Sequence, residues 1–278
     1  NLSDLAAVGA GPGPAFLALS APPTFDRRRF FRAFLQGCRS WGVQLSGGDL
    51  ARAQQVTLTL TLMGDLEAGG QWLRRDGGRP GQSLWVGGAL GESALGRLLL
   101  ARGVRPASGG LDLPPSLALP ADLHRCALEA IQRHLEPQPQ LELGRWLARL
   151  PVAGAAIDLS DGLGKDLHRL CTASQVGARI ERRALAATSD MARIATLLGA
   201  DMEDLALGGG EDYVLLFSLP AGVSPPPRWG CRKLGTLTED RRVLVGGEPD
   251  WEQLPAAGWD HLEHKKSAPP VGEASDHP

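Results

Sequence analysis

The run Ala155, Ala156 and Ile157 has strand character and ends in Asp158, Ser160 and Asp161, followed at once by Gly162 and a helix-like segment carrying Asp166. Charge at the mouth of a buried strand is costly unless it is paired or bound to a cation. The combination of acid and glycine recurs: Asp4 sits in NLSDLAAVGA, Asp49 follows Gly47 and Gly48 in LSGGDL, and Glu211 and Asp212 stand in GGGEDY. A glycine beside a carboxylate lets the backbone approach a bulky ligand and leaves main-chain N–H groups free for phosphate oxygens. Hard oxygen ligands beside such groups suit magnesium polyphosphate, because magnesium keeps several waters and needs only one or two carboxylates at each ion.

Each acid alone has a plainer explanation. Asp4 could cap a helix in LAAVGA, Asp49 could be a turn residue, and Ser160 and Asp161 could cap the helix from Leu163. Glu211 and Asp212 could simply be solvated ahead of a strand. Caps do not require neighbouring glycines, so separate glycine-and-acid clusters at strand ends point jointly to cation and phosphate chemistry. That reading requires the clusters to share one cleft.

Other chemistries lack their residues. No GxxxxGK[ST] phosphate cradle occurs, and GAGPGP at 9–14 has Pro14 in its sixth position with no strand before it, which argues against a dinucleotide turn. Ser3 and Ser160 have neither a paired histidine nor a GxSxG elbow. His134 and His168 stand at no metal-ligand spacing from another candidate and read as packing-edge residues. Trp259 in AAGWDHL reads as a packing residue by default, although its ring could serve a cationic heterocycle.

The elements that must position these residues can be read from pattern. The 278 residues, 43% hydrophobic, favour two domains of ordinary size. Positions 26–41 place Phe30, Phe31, Phe34, Leu35 and Cys38 on one side of a helix capped by Asp26, with the arginines of DRRRF on its solvated face. After a turn at SGGD, Val56, Leu58, Leu60 and Leu62 alternate with Thr57, Thr59 and Thr61 as a strand, its threonines on the wetter face of a half-covered sheet. The Gly/Arg-rich stretch that follows marks a boundary near position 72. Beyond it, SLWVGG, DYVLLFSL and RRVLVGG read as strands, while ESALGRLLLAR, LHRCALEAIQRHL and SDMARIATLLGA read as helices. ASGGLDLPPSLALP reads as a long loop. The pattern predicts an α+β class, with an N-terminal domain over 1–72, a C-terminal domain over 73–264 and a disordered tail over 265–278.

The balance of 29 basic and 31 acidic residues, a formal charge of -2, supplies no field toward nucleic acid or anionic lipid and favours a small-molecule substrate. Cys38, Cys126, Cys171 and Cys231 form no CxxC pair, which fits a reducing, cytoplasmic setting. No run reaches membrane-spanning length, and the first ten residues lack the pattern of a signal peptide.

Taken together, NLSDLAAVGAGP, LSGGDL, RRDGGRPGQSLWVGGALGESALG, RHLEPQP, AAIDLSDGLGKDLHRL, LGGGEDYVLLF and the closing GWDHL resemble the thiamine-monophosphate kinase family. That family shares an ATP-binding superfamily with aminoimidazole ribonucleotide synthetase and selenophosphate synthetase. The resemblance runs in the family's order from residue 1 to about residue 262. It implies a two-domain architecture like that of aminoimidazole ribonucleotide synthetase, with the N-terminal sheet pairing with a second subunit in a homodimer and the site between the domains. The implied reaction transfers the γ-phosphoryl group of ATP to thiamine monophosphate, with Mg2+ bridging the phosphates.

By the same resemblance Asp4, Asp49, Asp158 and Asp161 are expected to hold magnesium. Gly48, Asp49, Arg75 and Ser160 are expected to meet ATP, and Glu211 and Trp259 to lie at the thiamine end. The family pattern opens with a further segment holding a GDDAA-type motif and a second acidic motif before a histidine; neither occurs in these residues. Leu50, Gln82 and Gln140 stand where the pattern has threonine, aspartate and arginine. Two alternatives follow: a relative acting on a different acceptor, and a nucleotide-binding chain without catalysis.

Overall fold

In the computed structural model, which describes residues 1–152 and 154–259, the described residues form a three-stranded sheet, a seven-stranded sheet and a two-stranded hairpin. The N-terminal part runs α1 (Leu2–Ala7), β1 (Gly11–Ala21), α2 (Arg27–Ser40), β2 (Gln44–Arg52) and β3 (Thr57–Asp65). Its sheet has the order β2-β1-β3, with β1 parallel to β2 and antiparallel to β3. Register puts Leu62, Leu60 and Leu58 opposite Ala15, Leu17 and Leu19, all on one face, and sets Thr61, Thr59 and Thr57 opposite Phe16, Ala18 and Ser20 on the other. The second face is open: Phe16 is 40% exposed and Met63 55%. Asp26 caps α2 by accepting the Arg29 N–H at 2.9 Å.

One expectation fails here and one strand goes unpredicted, for one physical reason. SGGD is not a turn but the middle of β2, and GAGPGP, for which the pattern predicts no element, runs into the central strand β1. The glycines serve close strand approach. Pairing of β1 with β2 shifts register between Ala15 and Phe16, and a Cβ on Gly48, at φ +148, would lie 1.8 Å from the Leu17 carbonyl oxygen.

The second part contains β4 (Ser83–Val86), α3 (Glu92–Ala101), β5 (Arg105–Ala107), β6 (Gly110–Asp112), α4 (His124–Leu135), α5 (Leu141–Ala148) and β7 (Ala156–Asp158). It continues through α6 (Leu163–Ser174), β8 (Gly177–Glu181), α7 (Ser189–Leu197), α8 (Met202–Gly208), β9 (Leu215–Leu219), β10 (Arg232–Thr238), β11 (Val243–Gly247) and β12 (Asp250–Gln253). Seven strands form a mixed sheet in the order β12-β11-β8-β10-β4-β9-β7. The expected long loop after α3 carries the β5–β6 hairpin. The predicted tail, together with Asp260 and His261, lies outside the described residues.

The large sheet is covered on both faces where the acids emerge. Leu216 of β9 packs into a core shared with α6 and α8, whereas Leu215, Phe217 and Leu219 face a second core with α1 and α5. This explains the unbroken apolar run LLF in the sequence. Helix α1, first in the chain, docks on α5 and β7 of this second part. That contact depends on Gly144, where an added Cβ would sit 2.2 Å from the Ala6 carbonyl oxygen. Replacing Gly144 by Ala is expected to destabilise the protein by about 1–3 kcal/mol through overpacking, seen as a lower midpoint in urea or thermal unfolding.

Candidate active site

Docking of α1 on β7 joins the first and third motifs. Ser3 Oγ donates to Asp158 Oδ2 at 2.8 Å, and both residues are buried, Asp158 at 5% exposure. Burial pushes the Asp158 carboxyl up, the Ser3 hydroxyl opposes this, the charge of Asp4 adds to it, and Arg75 pulls back. Among the described residues no ion pair reaches Asp158. A carboxyl group is thus held in a dry position with a second acid nearby, an arrangement in which a bound cation would stabilise the charged form.

The turn after β7 is held by a side chain other than those expected. Asp166 accepts the backbone N–H groups of Asp161 at 3.0 Å and Gly162 at 3.2 Å, so it, rather than Ser160 or Asp161, closes the start of α6. Asp161 is left to pair with Arg169 at 2.6 Å, and Lys165 lies 3.7 Å away. Two other motifs are hydrogen-bonded to this turn. Glu211 N–H donates to the Ser160 carbonyl at 2.8 Å and Tyr213 N–H to that of Leu159 at 2.9 Å, while Trp259 N–H donates to the Asp161 carbonyl at 2.9 Å. The approach at Gly258 is close enough that a Cβ there would lie 2.7 Å from the Asp161 carbonyl oxygen.

The result is a ring of acids around one phenol. The Tyr213 hydroxyl is pushed up first by burial and then by the charges of Glu211, Asp158, Asp4 and Asp161. Beside Ser3 and Tyr213 opens a largely apolar cavity of about 430 Å³, walled by Phe34, Cys38, Trp41 and Leu62 among others. A space of this size and lining suits a heterocycle next to a polyanion.

Of the residues expected from sequence, Asp4, Asp158, Asp161, Ser160, Glu211, Trp259 and Arg75 are brought to this ring or its rim. Trp259 is 51% exposed. Gly48 and Asp49 are not brought to it. Asp49 pairs opposite Ala18, roughly 10 Å along β1 from Ala15 on the cavity wall, and lies on the open face of the sheet rather than the face that Ala15 and Leu62 turn to the cavity. Among the described residues no three acids, histidines or cysteines stand close enough to hold an ion by themselves. An ion bound here would draw on few protein carboxylates, and Asp158 and Asp4 would be the ones to supply them.

Two departures from the family pattern are accommodated. Gln82 Oε1 accepts from Arg79 N–H at 3.0 Å and Ser218 Oγ at 2.8 Å, pinning the RRDGGRPGQ loop. Gln140 spans Gly87 and Leu215, donating to the Gly87 carbonyl at 2.6 Å and accepting the Leu215 N–H at 2.8 Å. Sequence reasoning missed Ser3, Tyr213, Lys165, Asp166 and Arg169. The five-residue spacing of Asp161 and Asp166 across a glycine was the available signal for the reversed cap. His168 is a packing-edge residue as expected, bonded to the Leu254 carbonyl at 2.9 Å. His134 is more than that, with Nδ1 at 3.6 Å from a Glu211 carboxylate oxygen.

Residues 1–66 match the family model described as AIR synthase related protein, N-terminal domain. The thiamine-monophosphate kinase of Haemophilus influenzae is 34% identical over 282 residues, covering 96% of this chain and 78% of the relative. The chain belongs to the thiamine-monophosphate kinase family. The Salmonella typhimurium member is 37% identical over 224 residues, covering 79% of this chain and 62% of its own length. A solved structure described as AaThiL complexed with AMPPCP and TMP superposes with a TM-score of 0.77 at 27% identity, covering 94% of this chain and 77% of that one. This likeness accounts for the α+β architecture across both sheets.

The fourth motif supplies a pH dependence. Asp212 turns its carboxyl to the start of α3, accepting the Gly91 N–H at 2.8 Å and the Ser93 N–H at 3.3 Å. Burial outweighs these donors and pushes the group up to about 7. Between the ordinary aspartate range near ~4 and that value, the native state keeps a proton that the unfolded chain releases. Stability from this group is therefore complete at the acid end and is lost as pH rises toward 7. Urea unfolding at pH 5 and pH 7 is expected to show a loss on the order of 1–2 kcal/mol in the unsubstituted protein that Asp212→Asn does not show.

Proposed function

We propose that this chain carries out ATP-dependent phosphorylation of thiamine monophosphate to thiamine diphosphate, with Mg2+ as the required cation. The observation that carries this reading is the buried, unpaired Asp158 carboxylate beside Asp4, at the meeting point of motifs shared with the family. Asp158 and Asp4 are the residues best suited to a cation. Asp161 is already balanced by Arg169 and Lys165, so it would have to share its carboxylate with an ion. Bound magnesium would neutralise phosphate charge, without which two polyanions repel. The chain's own part is positioning. Arg75 and Ser160 take nucleotide phosphate, the apolar cavity shields a ring, and Glu211 with Trp259 receives the cationic acceptor.

A homodimer and the division at position 72 belong to the same reading. The open face bearing Phe16, Thr59 and Met63, with unpaired edges at β2 and β3, suits a second copy, and Gly48 and Asp49 then meet nucleotide only in the assembled pair. The setting is taken as cytoplasmic, in keeping with four cysteines that are all free thiols. Among the described residues no helix is long and apolar enough to cross a membrane.

The test is chromatographic detection of thiamine diphosphate from thiamine monophosphate, ATP and Mg2+. Turnover is expected to require the metal, and Asp158→Asn is expected to lower kcat/KM by at least about a hundredfold. Saturating Mg2+ with ATP should also raise the melting temperature by about 2–4 °C in the unsubstituted protein and by less in the variant. Turnover with another phosphorylated acceptor but none with thiamine monophosphate would assign a different substrate. Binding of ATP without any product would leave a binding protein.

A further inference from the structure

The loop that presents Glu211 is held in an unusual form. Glu211 and Tyr213, on either side of Asp212, both take left-handed backbone conformations, with φ of 59° and 51°, although neither is glycine. Such backbone persists only where its surroundings over-determine it. Here they do: the N–H groups of Glu211 and Tyr213 are bonded to Ser160 and Leu159, and the Asp212 carboxyl is locked on Gly91 and Ser93. These contacts fix the main chain and leave the Glu211 side chain, 50% exposed, with its own rotational freedom.

We propose that His134 is a positioning residue for Glu211, holding its carboxylate toward the acceptor's cationic ring. This rests on the role given to Glu211 above. His134 comes from the last turn of α4, is 19% exposed, and places Nδ1 at 3.6 Å from the Glu211 carboxylate. The same nitrogen lies 3.1 Å from Ser93 Oγ, and Ser93 is 1% exposed. The contacts close a ring: Asp212 holds the N–H of Ser93, the Ser93 hydroxyl meets His134, His134 meets Glu211, and Glu211 is bonded covalently to Asp212. One end of α3 thereby sets both the backbone and the side chain of the acidic residue. A free glutamate would lose rotamer entropy on meeting a ligand; one already braced loses less.

The experiment measures binding of thiamine monophosphate and of MgATP to the full chain by calorimetry, for Glu211→Gln, His134→Leu, His134→Asn and the double variant Glu211→Gln/His134→Leu. Glu211→Gln is expected to weaken thiamine monophosphate about tenfold. His134→Leu should weaken it about fivefold with MgATP affinity unchanged, His134→Asn should recover most of that loss, and the double variant should be no weaker than Glu211→Gln. Additive losses, a parallel fall in MgATP affinity, or failure of the asparagine to rescue would each overturn the positioning role while leaving the proposed reaction standing. An unchanged affinity in Glu211→Gln would overturn the role of Glu211 itself, and the brace with it.

Discussion

The site depends on a buried carboxyl group and the hydroxyl that reaches it from the other end of the chain. Asp158 leaves water at the end of β7, and its side-chain donor, Ser3, arrives from a helix 155 residues earlier in the chain. Because α1 carries both that donor and Asp4, its docking on α5 and β7 sets the field at the site. A carboxylate left in this state stores an electrostatic deficit that a divalent ion can relieve. The rest of the second part, with β9 packed on both faces, keeps that position dry.

Around this point the motifs divide their work between chemistry and support. Asp166, Asp212 and Gln140 satisfy backbone groups and make turns and strand ends rigid. Asp158, Asp161 and Glu211, relieved of such duties, can face a ligand. Acids next to each other in sequence therefore have different jobs: Asp212 looks inward to α3 while Glu211 looks out. The sole tyrosine of the chain, in the same loop, sits where the outward acids meet.

Much of this was legible from the chain and some was not. The helix beginning at Arg27 and the strand of alternating leucine and threonine were readable because their periodicities and cap are local. So was the convergence of Asp4, Asp158 and Glu211, through their shared glycine context. Strands β1 and β2 were not, because proline and glycine in GAGPGP and SGGD signal turns when read locally, while here they serve a bulged pairing visible only in the sheet. The Ser3–Asp158 bond spans too much sequence for any spacing rule to reveal it. The placement of Asp49 away from the acid ring has the same origin, since sheet register and face decide it.

Gln140 has an implication for engineering. A family-guided change to arginine at this position would supply only donors, and the amide of Leu215, which now gives its hydrogen to the glutamine oxygen, would be orphaned at the head of a fully buried strand. Consensus repair, often a safe route to sturdier proteins, is here a way to unzip β9 from its end.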